Sequence, residues 1–341
     1  MDRKKIIIIG GGPAGQEAAY HLAQRDYSVT LFEKEPDTGG HLNKVVKLFP
    51  DFGDADALRK ELSDRLINPN IELKKGTNIT ELFKEGEKWV VKSDGDSACY
   101  GDAVLLATGF TPFDATRKEE LGYGIYDNVI TSVDFESMLN TGKIVNYEGK
   151  IPQRIAFLNC VGSRDEKVGN PYCSRACCIN AVKLAVCYKK LLPDAEAYCF
   201  YIDMRMTGQQ YEELYRTSQE KYGITYIRGR ISEAAATFDN RIQLKAEDTL
   251  AGLPLKMTVD MLVLMVGMEA SESTTKLATQ NNIKGDYGFA ASLGLNGHDN
   301  QTTKEGLFVA GTCKRPLTLQ ETIADAGSAA IQIMNYLRSD N

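Results

Sequence analysis

Ile6-Ile7-Ile8-Ile9-Gly10-Gly11-Gly12-Pro13-Ala14-Gly15 follows directly on Met1-Asp2-Arg3-Lys4-Lys5. Four consecutive β-branched residues read as a parallel strand buried on both faces, since a half-exposed strand would alternate. Gly10, Gly12 and Gly15 make the spacing G-x-G-x-x-G, and residues 16–25 continue with helix formers. In such a turn the first glycine allows the tight bend, the second lets a pyrophosphate approach the backbone, and the third packs helix on strand. Unpaired N–H groups and the dipole at the helix start hold the phosphates, so Pro13 and Ala14 belong to the same candidate site. Residues 28–32 read as a second strand ending at Glu33, eighteen residues past Gly15, where a carboxylate accepts hydrogen bonds from a ribose and Lys34 stands beside it. A glycine turn alone is a common structural device. Strand, glycines, helix, strand and acid in this order predict a dinucleotide-binding unit.

Composition bounds the rest. The 341 residues are 43% hydrophobic and 25% charged, which predicts about two folded domains and excludes a disordered tail. Forty Lys+Arg against forty-six Asp+Glu leave a net charge of −6, so no nucleic-acid partner is expected. No apolar run approaches the ~20 residues of a transmembrane segment, and the isoleucine run is too short for a signal peptide. A cytoplasmic protein is expected, in which the eight cysteines stay reduced and serve as ligands or redox groups more readily than as bridges. There is no G-x-S-x-G elbow and no P-loop lysine.

Three further motifs resemble those of flavoproteins with two dinucleotide-binding domains, and the resemblance implies FAD as the first nucleotide. Gly39-Gly40 follows Glu33 closely, with His41, Leu42 and Asn43 next in line. His41 is either a flavin contact or a solvated loop residue. Val104-Leu105-Leu106-Ala107-Thr108-Gly109 resembles the strand and turn that return to the FAD site, and Gly306-Leu307-Phe308-Val309-Ala310-Gly311 resembles the last FAD motif. That motif usually continues with Asp. Here Thr312 stands in its place, and residues 320–336 follow as a helix whose start can face the flavin pyrimidine. Residues 71–92 read as a small strand-rich excursion of the scaffold.

A second Rossmann-like unit begins with an apolar strand at 154–159, a helix at 174–192 and a strand at 197–203. Its first turn carries no glycine fingerprint. It reads Cys160-Val161-Gly162-Ser163-Arg164-Asp165-Glu166 and then Gly169-Asn170-Pro171-Tyr172-Cys173-Ser174-Arg175-Ala176-Cys177-Cys178, four cysteines in nineteen residues. NAD(P)H binding at the usual place therefore has little support. Cys173, Cys177 and Cys178 are expected at or just inside the helix start, where the dipole favours thiolates. Cys173 and Cys177 would share one helical face if Cys173 were already helical. Vicinal Cys177 and Cys178 diverge by about 100°, which suits corners of a cubic cluster better than a tetrahedral zinc site. By spacing alone an iron–sulfur cluster, zinc, a redox disulfide and buried inert thiols all remain open.

Cys-Val-Gly-Ser-Arg-Asp followed by Tyr-Cys-Ser-Arg-x-Cys-Cys and a helix with Lys183 resembles the A subunit of heterodisulfide reductase and its relatives, among them the quinone-interacting oxidoreductase A subunit. Residues 40–52 and the stretch from Val266-Gly267-Met268 to Ala330 read alike. The chain is similar to the short A subunit of the sulfur-oxidising heterodisulfide-reductase-like complex, because the longer methanogen type carries ferredoxin-like cysteine runs absent from this sequence. The resemblance implies that Cys160, Cys173, Cys177 and Cys178 ligate one [4Fe–4S] cluster close to FAD. It implies that Lys183 hydrogen-bonds flavin N5, against the ordinary reading of a solvated lysine. It also implies a homodimeric core, heterodisulfide-reductase-like B and C subunits as partners, and a setting in sulfur metabolism with a thiol or disulfide carrier.

The expected architecture is α/β, two nested Rossmann-like domains of thioredoxin-reductase type with the cluster in place of the NAD(P) loop. Residues 1–145 and 285–341 form the FAD domain, and 146–284 the inserted one. Candidate flavin-site residues are Gly10, Gly12, Pro13, Ala14, Gly15, Glu33, Lys34, Gly40, His41, Leu42, Asn43, Thr108, Gly109, Lys183, Gly311 and Thr312. Cys313 is either close to the cofactor or a core thiol, Cys99, Cys187 and Cys199 read as core thiols, and Lys314-Arg315 as a solvated pair. The function expected is electron transfer between flavin and partner subunits. The alternatives are a stand-alone NAD(P)H-dependent flavin disulfide reductase and a non-catalytic assembly subunit.

Overall fold

Each of the two compact units is built around a parallel sheet. A computed structural model describes residues 3–95 and 98–339. The first unit comprises Met1–Asn43, Asp56–Thr111 and Glu269–Asn341, and the second Lys44–Ala55 and Pro112–Met268.

In the first unit the strands lie in the order Leu307–Val309, Ala103–Leu106, Lys5–Ile9, Ser28–Phe32, Ile71–Lys74, all parallel. Successive side chains of a strand face opposite ways. Ile6 and Ile8 accordingly pack with Ala18, Leu22, Ala326 and Ile333 on one face, and Ile7 and Ile9 with Leu82, Trp89 and Val91 on the other. Each fully buried isoleucine contributes roughly 1.5–3 kcal/mol. The helix Pro13–Ala23 starts earlier than expected, because proline is tolerated at the first helical position. The excursion at 71–92 divides: Ile71–Lys74 joins the main sheet, while Ile79–Glu85, Lys88–Ser93 and Ala98–Gly101 form an antiparallel sheet.

The second unit repeats the plan, with Thr225–Arg228, Glu196–Tyr201, Arg154–Val161, Met261–Val266 and Val129–Thr131 in parallel order. An antiparallel sheet of Ile231–Ala236, Ile242–Asp248 and Leu253–Val259 is appended. The boundaries expected at 145/146 and 284/285 are corrected. Val129–Thr131 pairs with Met261–Val266, and Phe135 of the helix Ser132–Thr141 enters the second core, so the second unit starts near Pro112. The helix Glu272–Gln280 belongs instead to the first unit. Leu277 and Ala278 are in its core, and Gln280 and Asn281 bond the backbone of Thr80 and Leu82. Residues 44–55 join the second unit because Phe49 and Phe52 pack on its core.

Lys314 is not solvated. Its ammonium is buried, 2.8 Å from the Asp299 carboxylate and 2.6 Å from that of Asp325, while Arg315 also grips Asp299. Burial raises the Asp299 pKa, but the hydrogen bonds from Arg315 and Lys314 outweigh it and bring the value down to about 2. A carboxyl with a depressed folded-state pKa stabilises the fold above its unfolded value of about 3.9 and loses that contribution as pH falls through the folded value. Asp299→Asn is therefore expected to lower stability by about 1–3 kcal/mol at pH 7 in urea unfolding. The gap from wild type should close between about pH 4 and pH 2. A gap that stays constant across that window would refute the assignment.

Candidate functional site: a dinucleotide cradle and a cysteine turn

In the first unit the glycine turn has the close approaches its spacing demands. Gly10 lies at φ 110°, where a Cβ would stand 2.3 Å from the Ala107 carbonyl oxygen, and a Cβ on Gly15 would stand 1.9 Å from that of Gly10. A Cβ on Gly12 would meet nothing within 4 Å, so open space lies where a phosphate would approach. Gly12 caps the helix Pro13–Ala23 without a side-chain hydrogen bond, and Ala14 is in its first turn. Glu33 is buried, with its carboxylate accepting from Gly11 N at 2.7 Å and from Glu35 N at 2.9 Å.

The distant motifs converge on this turn. Gly39 N donates to Gly11 O at 2.8 Å, and a Cβ on Gly40 would stand 3.4 Å from Gly12 Cα. Gly311, at φ 73°, would bring a Cβ within 2.9 Å of Ala14, and a Cβ on Gly109 would be 4.0 Å from the Thr312 hydroxyl. Thr108 bonds the Thr274 hydroxyl at 2.6 Å, and Gly311 N donates to Asp325 at 2.7 Å. His41 is no free loop residue: its ring stacks 4.0 Å from Phe110 and its Nε2 bonds the Phe110 carbonyl at 2.8 Å. Leu42 is buried, and Asn43 Nδ2 donates to Thr38 O at 3.0 Å, so both shape the loop. Lys34 is exposed, 3.9 Å from Glu35, and the two line a cavity of about 240 Å³ with Asn78, Ile79, Glu272, Ser273 and Lys276.

Sequence reasoning missed Thr274, Ser271 and Asp325. Ser271 caps the helix Glu272–Gln280 and donates to the Thr108 carbonyl at 3.0 Å. Its helix-start signal was readable; the fixation of Gly311 by Asp325, fourteen residues on, was not.

In the second unit Cys160 lies near the end of the strand Arg154–Val161, Cys173 in the following turn, and Cys177 and Cys178 at the start of the helix Cys177–Leu191. Register with the neighbouring strand slips between Leu158 and Val161, and Cys160 itself lies at φ 63°. The helix begins at Cys177, three residues later than expected, because Arg175 at φ 56° cannot continue a right-handed helix. Cys173 therefore stands in the loop, and its shared helical face with Cys177 is corrected; its sulfur accepts from Arg175 N at 3.3 Å.

Cys177 is hydrogen-bonded to both Cys160 and Cys178. Those bonds push the Cys177 thiol up, and burial adds to them. The Cys177 bond lowers Cys160 against burial, with help from Arg164 and Arg230. It brings Cys178 down to about 7, again against burial, with Arg205 N–H and the charges of Arg205 and Arg164 assisting. Among the described residues no trio of His, Cys, Asp or Glu is already closed to metal-ligand spacing. The donor chemistry nevertheless suits a thiophilic metal group. Cys177 pairs with Cys160 and with Cys178 at a helix start that has no side-chain cap, and the polar atoms of Asn159 and Ser163, next in sequence to Cys160 and Gly162, are buried without partners.

Lys183 departs from the reading of a solvated lysine. It is 1% exposed and ion-paired with Glu136, whose other oxygen accepts from Val46 N at 3.3 Å. Such a pair is tolerated in a core only because each charge has its partner. Cys99, Cys187, Cys199 and Cys313 are all buried. Burial pushes Cys313 up to about 12, and its thiol donates to the Leu106 and Ala310 carbonyls, so it is an inert core group.

Residues 4–147 match the pyridine nucleotide-disulphide oxidoreductase family. Thioredoxin reductases of Lactococcus lactis and T. acidophilum have this fold, with TM-scores of 0.69 and 0.68, identities of 16% and 17%, and 99% of this chain and all of theirs covered. The A subunit of the H(2)/formate:CoB-CoM heterodisulfide,ferredoxin reductase of Methanococcus maripaludis is 41% identical over 96% of this chain and 63% of its own length. The iron-sulfur A subunit of the CoB--CoM heterodisulfide reductase of Methanocaldococcus jannaschii is 32% identical over the same shares. The alignment with the first of these runs to 415 positions against 341 residues here, so that relative carries residues that this chain lacks within the shared span. The chain spans about 63% of the length of these relatives, and over nearly all of its own length it is similar to heterodisulfide reductase A subunits.

Proposed function

We propose that the chain is a flavin-dependent electron-transfer subunit of a heterodisulfide-reductase-like complex, with FAD in the first unit and one [4Fe–4S] cluster in the second. The observation that carries this reading is the cysteine turn, which stands where a nicotinamide reductase has its glycine fingerprint and pairs Cys177 with both Cys160 and Cys178. Gly10, Gly12 and Gly15 with the first turn of the helix Pro13–Ala23 hold the pyrophosphate, and Glu33 the ribose. Thr312 supplies a hydroxyl toward the ribityl chain, where the superfamily usually has a carboxylate. Cys160, Cys173, Cys177 and Cys178 are the cluster ligands; Lys183, for which the family resemblance implies a contact with flavin N5, is held by Glu136 instead. The two groups together supply exchange between electron pairs and single electrons.

A sulfur-oxidising form of the complex belongs to this reading. A homodimer, B- and C-like subunits, a thiol or disulfide carrier and a cytoplasmic location belong to this reading. No helix among the described residues is long and apolar enough to cross a membrane.

Anaerobic purification followed by FAD, iron and acid-labile sulfide assays tests it. About one FAD and four irons per chain are expected, with iron lost and FAD kept in Cys177→Ala. Iron-free protein that holds zinc or a disulfide, with its flavin bleached quickly by NADPH, would instead favour a stand-alone disulfide reductase. A separate test uses Gly12→Val. Because a Cβ there meets no protein atom within 4 Å, the fold should persist with an unchanged melting point of the flavin-free chain. FAD affinity, measured by fluorescence quenching on reconstitution, should fall at least about tenfold as the side chain enters the phosphate space. Unaltered affinity would move the pyrophosphate elsewhere.

A further inference from the structure

Four of the six buried side-chain nitrogen and oxygen atoms that lack a hydrogen-bond partner among the described residues lie within residues 159–164. They are both amide atoms of Asn159, the Ser163 hydroxyl and Arg164 Nη1; the other two belong to Gln16 and Gln332 of the first unit. Asn159 is 4% and Ser163 0% exposed, so bulk water does not serve them. Buried polar groups are nearly always paired in native proteins, and a cluster of exceptions points to a missing partner.

That cluster flanks Cys160 along the chain. Asn159 precedes it within the strand Arg154–Val161. The left-handed backbone of Cys160 and Gly162, at φ 63° and 74°, then folds the chain back until Ser163 N donates to Cys160 O at 3.4 Å. Arg164, at φ 53°, anchors Nη2 on Asp203 at 2.7 Å and keeps its charge within reach of Cys160, Cys173 and Cys178. Left-handed conformations at Cys160 and Arg164 are costly and persist where the surroundings over-determine them. The Asn159 amide N–H, the Ser163 hydroxyl and the Arg164 guanidinium N–H are donors, while the fourth atom, Asn159 Oδ1, is an acceptor that sulfur does not serve. The acceptors that this turn would gain on metal loading are sulfur atoms, both cysteine thiolate and bridging sulfide.

Resting on the cluster reading above, we propose that Asn159, Ser163 and Arg164 donate hydrogen bonds to the sulfur atoms of the cluster and thereby raise its reduction potential. Reduction adds one negative charge to the sulfur framework. Donors fixed beside that framework stabilise the reduced form more than the oxidised one, and the Arg164 charge acts in the same direction. The three residues tune the group without ligating it.

Ser163→Ala and Asn159→Leu test this in the anaerobically purified full chain, by a redox titration followed by electron paramagnetic resonance. Iron content should stay at the wild-type level while the cluster midpoint falls in each variant. In the double variant the shift should reach about tenfold in the reduced-to-oxidised ratio, equivalent to ~59 mV for one electron. In the iron-free chain the same substitutions should not lower the urea midpoint, because they remove groups that have no partner there. Wild-type midpoints with full iron in both variants would overturn the proposal and leave bound water as the partner. Should Asn159→Leu fail to hold iron, Ser163→Ala decides alone, since it removes a single oxygen. A wild-type chain that carries no iron brings down the cluster reading itself, and the iron assay shows this before any titration.

Discussion

A parallel strand buried on both faces can meet ligands only where it leaves the sheet. Lys5–Ile9 and Arg154–Val161 are the central strands of their units, each with parallel neighbours on both sides. Neighbouring connections diverge at their carboxyl ends, and the crevice left there is where open α/β sheets bind ligands. Both candidate sites occupy that position. In each the chain turns through a left-handed residue before a helix whose first N–H groups have no side-chain cap. In the first unit that residue is Gly10, which adopts φ 110° without steric cost. In the second it is Cys160, which carries a thiol into the turn at the expense of backbone strain.

The contrast explains why similar plans suit different chemistry. Gly10, Gly12 and Gly15 clear side chains from the turn, so backbone N–H groups remain for an anion. The longer second turn fills the same place with thiols, arginines and partnerless polar groups. Small anionic ligands need the first arrangement. A metal group whose negative charge resides on sulfur needs soft donors, positive charge and hydrogen-bond donors together.

Charge inside the two units obeys one rule. Lys183 with Glu136, and Lys314 with Asp299 and Asp325, are buried ammonium groups whose carboxylate partners come from elsewhere in the chain. Asp325 also takes the Gly311 N–H, so the turn of the last dinucleotide motif is tied to an ion-pair network. These pairings are not visible along the sequence. A lysine reads as solvated by default, and only the packing of the helices Ser132–Thr141 and Cys177–Leu191 within the second core gives Lys183 its partner.

Local order was legible without tertiary information. Residues 28–32 form the strand Ser28–Phe32 to the residue, and the isoleucine run, the glycine spacing and the acid after the second strand each met their expected place, because period, turn chemistry and burial agree there. What depended on long-range pairing was not legible. Nothing near residues 129–131 tells that they pair with Met261–Val266, nor that 272–280 pack on the first unit, and so the domain boundaries shifted. The start of the cysteine helix was misplaced because helix propensity does not reveal that Arg175 is held left-handed. The sequence by itself determined which residue types could bind a nucleotide or a metal group, since spacing and chemistry are properties of the chain. The tertiary structure decided which of them meet, which lysines are buried and which polar groups are left without partners, because those depend on contacts between segments far apart in sequence.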